Sequence, residues 1–183
     1  MARVALIAPE QAPLRVRSHF GAGDPGALTA SVAQVPELLA ALSPFLRAIY
    51  GPSAIAMRLK EIVVLRVSAM MGCRYCVHTH SAIAMGAGLD RNEVLALRRP
   101  GASDAFTDGR EVALVRWAEA LAAAPDPVTA ELAGEMAGLF SDHEIVEITL
   151  LGGATMMLNR YATALDLPAS PATLDKLGAE GLL

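Results

Sequence analysis

The stretch SAIAMRLKEIVVLRVSAMMGCRYCVHTHSAIAMGAG, residues 53–88, decides how this chain folds. Its first half reads as a helix running from Ser53, a residue suited to cap it, to about Met71. Ile55, Leu59, Ile62, Val63 and Val67 are its apolar positions. Gly72 ends that helix, and the next begins at the cysteines. There Cys73, Cys76, Val77, His80, Ile83, Ala84 and Ala87 fall three or four residues apart, on one face, before Gly86 and Gly88 close the segment. The only two cysteines of the chain therefore share a helix face with a histidine.

The helical period continues in both directions. From Pro36, the residues Leu38, Leu39, Leu42, Phe45, Leu46 and Ile49 mark one face of a helix that Pro44 is expected to kink or divide. Asp90 with Glu93 has the form of a capping box for a short helix stopped by Pro100-Gly101. Val112, Val115, Ala118 and Leu121 carry the next, expected to end at Pro125 and Pro127. One more follows at 129–139, and Ser141 with Glu144 caps a longer one reaching about Leu165. The tail has room for one further turn. Residues 1–33 hold prolines and glycines without a sustained period and read as an extended arm. No strand pattern and no internal repeat is present. The expectation is an all-α bundle of about seven helices, with an N-terminal arm over 1–33, a helical domain over 34–167 and a tail over 168–183.

Composition agrees. Apolar residues make up 54 % of the 183, yet aromatics only 4 %, so alanine- and leucine-rich helices must pack closely. A mean hydropathy of +0.41 leaves apolar surface to cover, and subunit interfaces are the ordinary destination. No uncharged run approaches the ~20 residues of a membrane span. The opening MARVALIAPEQAP has an apolar core too short for a signal peptide, so a soluble, cytoplasmic protein is expected, with no membrane partner. The net charge is −4 and the basic residues are scattered, which excludes nucleic acid as a partner. In a reducing compartment, a C-x-x-C motif points to redox or metal chemistry rather than a disulfide scaffold.

Both cysteines are expected in the first turn of their helix, where unpaired amides and the macrodipole favour thiolate. Helical residues three apart hold their Cβ atoms ~5–6 Å apart, whereas a disulfide needs ~3.5–4.5 Å. A Cys73–Cys76 bridge therefore calls for a distorted turn. His80 lies one turn beyond Cys76, placed as a base or proton donor. Glu61 is the one carboxylate on the preceding, mainly apolar helix. If the two helices fold back at Gly72, a rise of ~1.5 Å per residue sets Glu61 ~16 Å and His80 ~12 Å from the turn, at comparable levels. A Glu61–His80–Cys76 relay needs no metal or cofactor. Competing readings are packed cysteines, a zinc site drawing on Cys73, Cys76, His80 and Glu61, and a structural pairing of Glu61 with Arg58 or Arg66. A thioredoxin-type site fails, because a helix and not a strand precedes the motif.

Glu61, eleven residues, then Cys73-x-x-Cys76-x-x-x-His80 resembles the signature of the alkylhydroperoxidase D-like proteins of the carboxymuconolactone decarboxylase superfamily. The likeness runs from the Pro36 helix to Asn159-Arg160 and is strongest over 55–88. It implies an all-α fold, a homo-trimer or homo-hexamer, and thiol-dependent reduction of a hydroperoxide substrate. It also implies roles: Cys76 as peroxidatic thiol, Cys73 as resolving partner, and His80 and Glu61 as proton relay. The reductant it implies is an external dithiol on a lipoyl-bearing or thioredoxin-like protein. Some members place a histidine between the cysteines; here Arg74 and Tyr75 fill that interval. The alternatives are a lactone decarboxylase, which needs no dithiol, and a non-enzymatic redox-sensing module.

Overall fold

The computed structural model describes residues 2–20, 25–123 and 128–183, and among them the chain is helical throughout, with no strand. Among the described residues nine α-helices follow one another: α1 Gly26–Val32, α2 Pro36–Tyr50, α3 Met57–Met70, α4 Arg74–Gly86, α5 Arg91–Leu97, α6 Gly109–Ala122, α7 Ala130–Leu139, α8 Asp142–Ala164 and α9 Pro171–Ala179. The all-α expectation holds. The two helices beyond the expected seven are α1, at the end of the supposed arm, and α9, longer than one turn. Each is short, seven and nine residues, too brief to establish a hydrophobic period.

The centre of the bundle is α3. Residues 60–68 are buried without interruption, and α4, α6 and α8 pack around them. A helix enclosed on all sides must find partners for its charged side chains. Arg58 pairs with Glu93 of α5 at 2.5 Å and Glu111 of α6 at 2.6 Å. Arg66 pairs with Glu119 of α6 at 2.7 Å and also donates to the carbonyl oxygens of Leu97 and Arg99. Lys60 is 1 % exposed; its Nζ donates to the carbonyls of Ile49 and Gly51 at the end of α2 and meets Glu147 of α8 at 2.8 Å.

Several local expectations change. Ser53 does not cap a helix: its Oγ donates to Glu147 and accepts from the Ile55 amide, and α3 starts only at Met57, with Ala56 as its N-cap. Pro44 lies inside an undivided α2. Ile83 is 41 % exposed rather than on the buried face of α4. The capping boxes at Asp90/Glu93 and Ser141/Glu144 are both formed. Pro125 and Pro127, expected to end α6, lie outside the described residues.

The N-terminal segment folds over the C-terminal end of α8. The Arg3 amide donates to Leu165 O at 2.8 Å and the Ile7 amide to Ala30 O at 3.0 Å. Ala12, Val16 and Phe20 bury themselves with Val32 and Leu39 in a small second core. No helix among the described residues is long and apolar enough to cross a membrane.

The turn between α3 and α4 positions the site. Gly72 takes φ +65°, its amide donates to Ala69 O at 3.1 Å, and the Cys73 amide donates to Ser68 O at 3.1 Å. This is a Schellman closure with Gly72 as the left-handed residue. A Cβ at Gly72 would meet nothing within 4 Å, so any substitution there is felt only through the backbone. Gly72→Ala is expected to cost about 1–2 kcal/mol, lowering Tm by roughly 2–8 °C in a thermal melt.

Glu147 sits between opposing effects. Burial pushes its carboxyl up, but hydrogen bonds from Lys60 and Ser53 and the Lys60 charge hold it below the ordinary value of 4.5. A depressed native pKa contributes stability above the unfolded value, which is lost as pH falls through the native one. Melts of wild type and Glu147→Gln should therefore differ at neutral pH and converge as the pH drops below about 4.5. A constant gap would refute the assignment.

Candidate active site

Cys73 is not in the first turn of α4 but at its N-cap, with extended backbone (φ −81°, ψ 95°), and its Sγ accepts from the Cys76 amide at 3.3 Å. Cys76 is the third helical residue. The two are joined by a disulfide with Cα atoms 5.3 Å apart, within the ordinary range for such bridges. The bridge does not join two helical positions, because the Gly72 turn delivers Cys73 from outside the helix.

One turn on, His80 Nδ1 lies 2.9 Å from Glu61 Oε2. Glu61 is 2 % exposed, and its two structural alternatives are engaged elsewhere, Arg58 by Glu93 and Glu111 and Arg66 by Glu119. A carboxylate here accepts from Nδ1–H, which leaves Nε2, on the opposite edge of the ring, as the basic nitrogen. The helix levels estimated from rise per residue thus correspond to a direct contact.

Cys76 and His80 open together into a cavity of about 120 Å³ whose walls include Leu28, Tyr50, Thr155 and Asn159. Two pairs at i, i+4 spacing face one another across it: Cys76 and His80 on α4, Thr155 and Asn159 on α8. The Tyr50 ring stands 6.0 Å from the His80 ring, centroid to centroid. The Thr155 hydroxyl donates to Leu151 O at 2.7 Å, so the 2.9 Å contact with Tyr50 is one in which Tyr50 donates. Burial first, reinforced by the Glu61 charge, pushes the Tyr50 phenol up to about 12. It is a neutral phenol at any physiological pH.

Cys73, fully buried, does not border this cavity; it borders a separate surface cleft with Gly72, Arg74 and Asp166. His78 projects elsewhere on α4, where burial, then Arg98 and Arg74, hold its imidazole below the ordinary range. Among the described residues, no three of the His, Cys, Asp and Glu side chains gather as a metal-binding group.

The four predicted site residues are therefore adjacent. Sequence reasoning missed Tyr50, Thr155 and Leu28, which reach the cavity from α2, α8 and α1. Tyr50 and Thr155 are 105 residues apart, and no local pattern couples them.

Residues 36–120 match the carboxymuconolactone decarboxylase family. The uncharacterized protein YnjA of Escherichia coli K12 is 30 % identical over 111 residues, which span 60 % of this chain and 60 % of that protein. The alkylhydroperoxidase AhpD core of an uncharacterized peroxidase-related protein from Ralstonia eutropha superposes with a TM-score of 0.84 at 18 % identity, covering 100 % of this chain and 97 % of the other. The debrominase Bmp8 superposes with a TM-score of 0.78 at 24 % identity, over 94 % of this chain and 95 % of its own. A cysteine-to-alanine variant of Bmp8, in complex with 2,3,4-tribromopyrrole, is similarly related at 0.79 and 22 %, over 98 % of this chain and 100 % of that one. Over residues 36–120 the chain thus matches the carboxymuconolactone decarboxylase family, and with these solved structures it shares a helical fold.

Proposed function

We propose that the protein is a thiol-dependent hydroperoxide reductase that cycles Cys73 and Cys76 between dithiol and disulfide. One observation carries the reading: Cys76 and His80, the latter hydrogen-bonded to Glu61, line one small cavity, with Cys73 disulfide-bonded to Cys76. His80 Nε2 takes the Cys76 thiol proton, and Glu61 stabilises the resulting imidazolium. The thiolate attacks the terminal oxygen of the hydroperoxide, the O–O bond breaks, and the departing alkoxide recovers the proton from His80 as an alcohol. Cys76 is left as a sulfenic acid. Cys73 condenses with it, forming the disulfide and releasing water. An external dithiol, lipoyl-bearing or thioredoxin-like, then reduces the disulfide and is itself oxidised to one.

The greater access of Cys76 to the cavity supports its assignment as peroxidatic and that of Cys73 as resolving thiol. Exposed Leu38 and Phe45 on α2 and Val146, Leu150 and Met157 on α8 supply apolar surface for the homo-oligomer, trimer or hexamer, that belongs to this reading.

The reduced protein, freed of reductant and given a slight excess of alkyl hydroperoxide, should lose one peroxide and two thiols per chain. Cys76→Ser should abolish both losses, and Cys73→Ser should stop after one turnover as a trapped sulfenic acid. Thiols that survive hydroperoxide but are consumed by 2,3,4-tribromopyrrole would move the activity to reductive debromination, which draws on the same two electrons. Thiols untouched by either would return attention to lactone decarboxylation. A second expectation concerns the relay. Glu61→Gln keeps an acceptor for His80 Nδ1 but loses the charge, and should slow Cys76 oxidation by roughly tenfold or more in stopped-flow measurements. An unchanged rate would remove Glu61 from the relay.

A further inference from the structure

Asn159 is 1 % exposed and stands on the cavity wall opposite Cys76 and His80. Its Nδ2 donates to Ser68 Oγ at 3.2 Å, which fixes the plane of the amide against α3. Its Oδ1 has no hydrogen-bond partner among the described residues. Buried acceptors are rarely left so, and one on a cavity wall is suited to a ligand's donor.

The neighbouring groups sharpen the chemistry. The Tyr50 hydroxyl is given to Thr155, the Thr155 hydroxyl to Leu151 O, and the Glu61-facing edge of His80 to Glu61. Of the positions these leave open beside Cys76, His80 Nε2 and Asn159 Oδ1 are acceptors, and the Thr79 hydroxyl on the same wall can donate or accept. A ligand that satisfies the two acceptors must bring an X–H group. A dialkyl peroxide has none; a hydroperoxide has one, on its terminal oxygen.

We propose that Asn159 is a substrate-binding residue, whose Oδ1 accepts the hydrogen bond of the hydroperoxide O–H and presents that terminal oxygen to Cys76. The proposal rests on the hydroperoxide reductase reading. Held by its proton, the terminal oxygen is the one attacked: the S–O bond forms there, the O–O bond breaks, and the electron pair leaves with the alkyl-bearing oxygen, which His80 protonates. The hydroxyl proton stays with the sulfenic acid, so the hydrogen bond to Asn159 persists through the step.

The test compares two oxidants of the reduced protein. Tert-butyl hydroperoxide carries the O–H donor. Methyl methanethiosulfonate, a small thiolate-specific reagent, carries none. Second-order rates of thiol loss are measured for wild type, Asn159→Leu, the smaller Asn159→Ala, and Asn159→Asp, which keeps an oxygen acceptor in place. Asn159→Leu and Asn159→Ala should lose about tenfold or more with the hydroperoxide, while their rates with the thiosulfonate stay near wild type. In Asn159→Asp the added charge changes thiolate reactivity towards both reagents, and the ratio of the two rates should stay that of wild type. Equal losses with both reagents in the Leu and Ala variants would make Asn159 structural and overturn the proposal alone. A wild type that reacts with the thiosulfonate but not with the hydroperoxide would overturn the underlying reading, and this proposal with it.

Discussion

Everything in this bundle follows from burying a helix that carries four charges. Arg58, Lys60, Glu61 and Arg66 of α3 all lie at or beneath a packed surface, and each charge must be met where it stands. The partners come from four other helices: Glu93 of α5, Glu111 and Glu119 of α6, Glu147 of α8 and His80 of α4. Apolar packing alone is non-directional and does not set which helix lies against which. The charge pairs do. They fix the rotation of α3 and thereby the direction in which Glu61 points. Three of the four charges are answered by a permanent opposite charge, whereas Glu61 is answered by a group whose charge comes and goes. That difference separates a structural pair from one suited to chemistry.

The same contacts couple the scaffold to the cavity. Lys60 ties the end of α2 to α3 and α8, and the last residue of α2 is Tyr50, whose ring and hydroxyl form part of the cavity wall. Ser68 holds the Asn159 amide, and the carbonyl of that same residue accepts from the Cys73 amide in the turn before α4. One residue of α3 thus orients a side chain on α8 and closes the turn that sets both cysteines.

The sequence made the inner half of this arrangement legible because its residues are close along the chain or joined by one turn. Cys76 and His80 announce a common helix face by spacing, and a tight turn at Gly72 brings Glu61 alongside by simple counting, although it sets Cys73 at the helix cap rather than on that face. The outer half was not legible. Tyr50, Thr155 and Leu28 reach the cavity through long-range packing, and their own surroundings in the sequence look like ordinary helix. Ser53 shows the opposite failure. Its residue type suits a cap, but Glu147, 94 positions away, competes for the hydroxyl, and a tertiary contact overrode the local preference. The segment α1 was passed over, and α9 was given only a single turn, because so few residues cannot display a period. Packing against the arm and α4 makes them helical.

The position of Cys73 has a consequence for how the pair is poised. Its sulfur is both half of the proposed redox couple and the atom that caps α4, accepting from the Cys76 amide. An anionic sulfur accepts a hydrogen bond more strongly than a disulfide sulfur does, and a helix N-terminus favours negative charge. Electron content and helix-end integrity are therefore linked functions, and linkage is reciprocal. Whatever firms the first turn of α4 draws electrons towards the pair, and whatever loosens it releases them. A docking protein that touched only the backbone of that turn would shift the midpoint of a couple whose sulfurs it never reached.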